Sequence, residues 1–472
     1  MLSSVSLYYT LSSFLSHLHF SLSIFNFSFF FLVSLVQLFF SLSLLRFLIP
    51  NQKMGFDLRQ VVAGILTLTM FVMLIHMIKR DHFDSVQDNK LPGVTEDTIY
   101  ESVKVDSTHV RKNIGLWKGD TDGLKACWVK PSGDEVEQTK GFVTFSLTNG
   151  PEYHLSQIAD AVIVARSLGA TLVIPDIRGS QPGDKRNFED IYDIDVFKKS
   201  MEGVVSVVTD LPAQVTTKNI AAVKVPNRVT EDYISRHVEP IYRSKGNVRL
   251  ATYFPSINMR KSGKKGDSDS IACLAMYGSL ELQPEMRDVV DSMVERLRTL
   301  SRKSDGQFIA VDLRVEMLNK KGCQGNEDND GEKSCFNAQE IAVFLRKIGI
   351  DKDTTIYVTQ SRWDDSLDSL KDLFHKTYTK ESIMPADKKT KFLDSKDSEL
   401  EKVIDFYIST ESDVFIPAIS GLLYANVAGK RIGSGKTQIL VPSEISDSSA
   451  SASSFLSPYI SKKNHFAYSC YC

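Results

Sequence analysis

The chain has 472 residues, with 56 basic and 58 acidic side chains and 42% hydrophobic residues. That length exceeds one typical core and points to two domains with appendages. A net charge of −2 gives no reason to expect a nucleic-acid binder.

The first 53 residues form an apolar extension, and positions 1–45 contain no charged side chain. Its monotonous Ser, Phe and Leu is what a translated pyrimidine-rich leader would give, and Met54 offers an alternative start. The run "VVAGILTLTMFVMLIHMI" (61–78) is about as long as a bilayer-crossing helix must be. No small-residue cleavage site follows it, so an uncleaved signal-anchor is expected over 54–80. Lys53 and Arg59 precede the run and Lys79 and Arg80 follow it. These flanks alone do not set its orientation. With one span the protein is a single-pass type II membrane protein with a lumenal head. Residues 81–136 are polar and read as a stem.

All six cysteines lie beyond the anchor: Cys127, Cys273, Cys323, Cys335, Cys470 and Cys472. An even count in a lumenal domain is compatible with disulfides, and Cys323 and Cys335 flank a polar loop that closure would stabilise. No CxxC spacing suggests a metal site. The only glycosylation sequence is Asn26-Phe27-Ser28, inside the apolar extension, so no N-glycan is expected on the head.

From residue 137 the pattern is α/β. "GFVTFSL" (141–147) reads as a strand, "TNGPEYH" as a turn, and "LSQIADAVIVARSLG" as a helix with apolar residues at helical spacing. "ATLVIP" (170–175) is the next strand, which makes a β-α-β unit with parallel strands. A helix is expected near 285–303, then the strand "QFIAVDLR", a helix over 338–349 and a strand over 354–360. "DVFIP" (413–417), a helix near 420–431 and "QILVP" (438–442) complete the pattern. Two such halves predict two facing, doubly wound domains, 137–300 and 301–472, with a ligand at the carboxyl ends of the strands.

The stretch "FIAVDLRVE" (308–316) lies at such an end. Alternation on a pleat would point Asp312, Arg314 and Glu316 to one side, at the mouth of a cleft. An arginine there offers a planar fork matched to phosphate oxygens. An internal Arg314–Glu316 pair with no ligand is the competing reading. Three other motifs mislead. "GKRIGSGKT" (429–437) has Lys430 where a phosphate loop needs glycine, and it follows a helix. "DID" (193–195) fits a helix start better than a metal pair. "DND" (328–330) lacks the rest of a calcium loop.

Several blocks resemble the plant O-fucosyltransferase family. "FIAVDLRVE" is similar to its donor-site motif, usually His-Leu-Arg-x-Glu. "GPEYHLSQIADAVIVARSLGATLVIPDI" and "NFEDIYDIDVF" are similar to its first motifs, and "TYTKESI" and "IDFYISTESDVFIPAISGLLYANVAGKR" to its C-terminal third. The resemblance covers roughly 137–470, and the wording is closest to the mannan-synthesis-related subgroup.

The resemblance implies a GT-B fold, with 137–300 on the acceptor side and 301–472 on the nucleotide-sugar side. It implies inverting transfer from a GDP-linked sugar such as GDP-fucose, without metal or other cofactor, to a glycan or glycoprotein in the Golgi. Mannan synthase is a candidate partner. Arg314 would contact the diphosphate. Asn149, Gly150, His154, Asp312, Glu316, Ser412, Asp413, Ser420 and Gly421 would line the donor site. Asp312 stands where the family usually has His, and "TNGPEYH" replaces a glycine-rich segment that carries arginine. Pro151-Glu152 resembles the Pro-Glu of the fucosyltransferase acting on thrombospondin-type repeats, which makes Glu152 the candidate general base. Its other reading is an acidic residue stabilising a helix N-terminus. Two further classes stay open beside the enzyme: an accessory protein that keeps the site without chemistry, and a membrane scaffold with no ligand.

Overall fold

The computed structural model describes residues 117, 124–130, 141–148, 150–179, 181–215, 220–255, 259–261, 267–321, 335–393, 399–443 and 451–472. The extension, the anchor, most of the stem, Asn149, Cys323 and the "DND" segment lie outside them. Among the described residues no helix is long and apolar enough to cross a membrane.

The first sheet is built on β1 (Phe142–Leu147). Along β1 run β2 (Thr171–Val173) and β3 (Asp176–Arg178), both parallel to it. β4 (Lys185–Arg186) is antiparallel to β3. β5 (Val207–Val208) extends β2, and β6 (Ala221–Pro226) pairs with β7 (Asn247–Tyr253), which also pairs with β1. Helix α1 (Pro151–Ser167) makes the crossover from β1 to β2. Its nearly continuous burial explains why the helix reads as apolar on more than one face. The "DID" segment is a helix start: Asp193 accepts hydrogen bonds from the amides of Asp195 and Val196.

Helix α2 (Pro284–Leu300) leads to the second sheet. That sheet runs β10 (Thr377–Tyr378), β9 (Thr355–Val358), β8 (Phe308–Asp312) and β11 (Val414–Pro417), all parallel. Helix α3 (Val315–Lys321) follows β8, and α4 (Ala338–Lys347) precedes β9. Helices α5 (Glu399–Glu411) and α6 (Leu422–Gly433) flank β11. "QILVP" forms bridges to Phe415 and Leu456 and not a full strand.

Alternation explains the continuous apolar run of β8. Phe308 and Ala310 join Tyr357 and Phe415 in a core shared with the first sheet and with α5 and α6. Ile309 and Val311 join Ile356, Val358 and α4 in a separate core on the other face. The two sheets are thus tied by one apolar cluster.

Two disulfides, Cys127–Cys472 and Cys273–Cys470, join the chain's last residues to segments that precede the second sheet. Cys335 is also disulfide-bonded. Residues 124–130, assigned to the stem from sequence, are part of the head: Lys125 and Cys472 exchange backbone hydrogen bonds. Trp128 packs edge-on against Tyr471.

Candidate functional site

β1 ends in a turn that needs Gly150, whose φ of 123° suits glycine and whose absent Cβ would meet the Glu152 carboxylate. Glu152 follows in the first turn of α1. A buried residue of α5 holds this turn: the Gly150 amide donates to Glu399 Oε2 at 2.7 Å. Asn426 of α6 donates to the Glu152 carbonyl at 2.6 Å. The second half of the chain therefore fixes the backbone that carries Glu152. Glu399 and Asn426 are isolated in helical stretches, and no spacing signal marks them in the sequence.

Glu152 Oε2 is buried with no hydrogen-bond partner among the described residues. Burial pushes its carboxyl above the usual range, and the positive charge of Arg314 opposes the rise. Arg314 lies just past β8, on the second sheet. Glu152 and Arg314, from the two halves, thus stand within electrostatic reach of each other.

The pleat does not extend to Glu316, contrary to expectation. β8 stops at Asp312, Leu313 bonds back to Val311, and a helix begins from the Arg314 carbonyl. Glu316 sits exposed in that helix and accepts from Gln360 at 3.3 Å. The partner of Arg314 is Asp312 instead. Nε lies 2.9 Å from Oδ1, and Nη2 donates to Oδ2 at 3.2 Å. Asp312 is fully buried and also accepts from Thr359 Oγ1 at 3.0 Å, while 17% of the Arg314 side chain remains exposed. Asp312 is therefore neutralised within the protein.

Ser420 and Gly421 precede α6 just past β11, whose Pro417 is in register with Asp312. They share the carboxyl edge with Arg314. Ser412 and Asp413 do not. They precede β11, at the opposite edge of the parallel sheet, about 13 Å away at the rise of a strand. Asp413 accepts from the Phe308 amide and from Arg298. Ser412 accepts from the buried Arg431. His154 is a core residue on α1. Its Nδ1 meets the Tyr192 hydroxyl and its Nε2 meets the Thr148 carbonyl, and burial lowers its pKa to about 4. Nε2 also lies 3.3 Å from Glu399; this attraction is outweighed by complete burial, and both ring nitrogens are occupied by protein.

Two further features escape sequence reasoning. Lys380, fully buried, pairs with Asp405 of α5 at 2.5 Å, and Tyr357 of β9 donates to the same carboxylate at 2.6 Å. A cavity of about 280 Å³ opens beside Leu313 and Val315, the two neighbours of Arg314, and reaches Asn337 and Ser366.

Two mainly parallel sheets bring a guanidinium and a shielded carboxyl to their carboxyl edges, where α/β folds take their ligands. The chain belongs to the GDP-fucose protein O-fucosyltransferase family, whose sequence profile matches residues 154–432. The resemblance read from the motifs is borne out. The chain is 62% identical over 424 residues to Protein MANNAN SYNTHESIS-RELATED 1 of Arabidopsis thaliana, covering 89% of this chain and 100% of that protein. It is 60% identical over 425 residues to Protein MANNAN SYNTHESIS-RELATED 2 of the same plant, with 89% and 100% covered. Among solved structures, POFUT1 in complex with GDP-fucose is similar at a TM-score of 0.40 and 13% identity, over 64% of this chain and 95% of that one.

Proposed function

We propose that the protein is an inverting glycosyltransferase of GT-B type that uses a GDP-linked sugar, GDP-fucose in the first instance, in mannan biosynthesis. The family's description supports this donor class, and the names of the mannan-synthesis-related relatives support this process. The reading includes a type II anchor, a lumenal head in the Golgi, a glycan or glycoprotein acceptor and contact with mannan synthase.

The observation that supports it is the placement of Glu152 past β1 and of Arg314 past β8, each at the carboxyl edge of its sheet and near enough for their charges to act on each other. In this reading Arg314 binds the diphosphate and absorbs the charge that develops as the glycosidic bond breaks, with no divalent ion required. Glu152 takes the proton of the acceptor hydroxyl. The oxygen attacks the anomeric carbon from the face opposite the leaving GDP, and configuration inverts. A carboxyl kept above its usual pKa suits a base near neutrality.

A thermal-shift titration with GDP and GDP-fucose is the test. Wild type should be stabilised, EDTA should leave the shift intact, and Arg314→Ala should lose it. An unchanged shift in Arg314→Ala would remove the assignment. The second reading, an accessory protein that binds without turnover, is favoured by the Asp312–Arg314 pair, which already satisfies part of the guanidinium. GDP release from GDP-fucose separates the two.

A further inference from the structure

Tyr153 follows Glu152 directly, and its ring packs edge-on against Phe254, with centroids 5.0 Å apart and planes at 70°. Phe254 comes from just past β7, the strand beside β1, so the pair lies at the same carboxyl edge as the Gly150 turn. Both rings are only partly buried. The Tyr153 hydroxyl makes no hydrogen bond to a described residue. It nonetheless lies in the fields of both Glu152 and Arg314, since those two charges act on it in opposite directions. The two half-buried rings therefore adjoin the turn that carries Glu152, at the same carboxyl edge of the sheet.

We infer that this pair of rings is the acceptor subsite and that the acceptor presents a pyranose ring, so that the substrate is a carbohydrate chain and not a protein hydroxyl. The inference rests on the transferase reading and names its substrate class. A pyranose carries axial C–H bonds on one face, with partial positive charge, and hydroxyls around its rim. An aromatic face offers negative π density to the C–H side, and a phenol beside it offers a hydrogen bond to the rim. An edge-on pair turns two differently oriented surfaces to one ring, which orients it. A hydroxyl on a ring so held would lie beside the turn that carries Glu152, whose carboxylate takes its proton in the transferase reading.

Calorimetry of the full chain with mannohexaose in saturating GDP tests the inference. Wild type should bind the oligosaccharide. Phe254→Ala should weaken it about tenfold or more, and Tyr153→Phe, which keeps the ring, should weaken it less, with GDP affinity unchanged in both. Thermal melts establish that the variants fold. No oligosaccharide binding by wild type, or binding unaffected by Phe254→Ala and by Tyr153→Ala, overturns the inference while leaving the GDP result standing. Loss of GDP binding in wild type would instead strike the transferase reading itself.

Discussion

Glu152 is the residue on which chemistry and environment meet most closely. Its two possible roles, base and helix-end charge, make opposite demands on solvation, and the buried Oε2 favours the first. Glu152→Gln is expected to lower transfer by about 10²–10⁴-fold, the usual worth of a general base, while GDP-fucose still binds. The wild-type rate should fall as pH drops through the raised carboxyl pKa, because only the carboxylate accepts a proton; steady-state rates from pH 5 to 8 would show the limb. His465 gives a stability prediction. It is buried, its Nε2–H donates to the Ala425 carbonyl, and its Nδ1 accepts from the Ala467 amide, so the neutral ring is held on both sides. Burial lowers its pKa from 6.5 to about 4. A depressed folded pKa gives stability that is complete above 6.5 and is lost as pH falls towards 4, about 3 kcal/mol for this group. Chemical denaturation at pH 7 and pH 4.5 should show that loss, and His465→Gln should reduce the difference. At this scale the sequence was half legible. Glu152 and Arg314 could be found because each sits in a local pattern. Glu399, Asn426 and Tyr153 could not, because long-range contact or a neighbour's field gives them their part.

The elements were more legible than their ends. The run of β8 and the helix spacing of α1 follow from period alone. The reading failed where a strand turned into a helix within three residues, which moved Glu316 away from Arg314. It also grouped Ser412 and Asp413 with Ser420, although a strand separates the two pairs. Parallel strands place their starts at the edge away from the ligand, so that error could have been caught from order alone. The junction of α5, β11 and α6 has a single organiser. Arg431 is completely buried and donates to the carbonyls of Ser409, Ser412, Asp413 and Gln438. Burial brings its pKa down to about 9. Arg431→Met would strip all four carbonyls of this donor, although Ser409 keeps the Ser412 hydroxyl and Gln438 the Phe415 amide, and should cost about 3–5 kcal/mol, as breaking a buried charged network does, measured as a lower thermal midpoint. Lysine should not restore it, since a point charge cannot reach so many carbonyls in two directions.

At the scale of the molecule, the order of β and α segments gave the α/β architecture, but the even cysteine count gave no pairing. Which thiols meet depends on how the C-terminal segment folds back onto the first half, and composition holds no record of that. Each bridge is expected to add about 2–5 kcal/mol, so a thiol reductant should lower the melting midpoint at neutral pH.

The link from Cys127 to Cys472 spans 345 positions and encloses both sheets in one covalent ring. A protease that nicks any surface loop inside that ring would free no fragment. The cut protein would migrate as an intact species on a non-reducing gel and separate into pieces only once the bridges are opened, so a preparation could look whole while its backbone is severed.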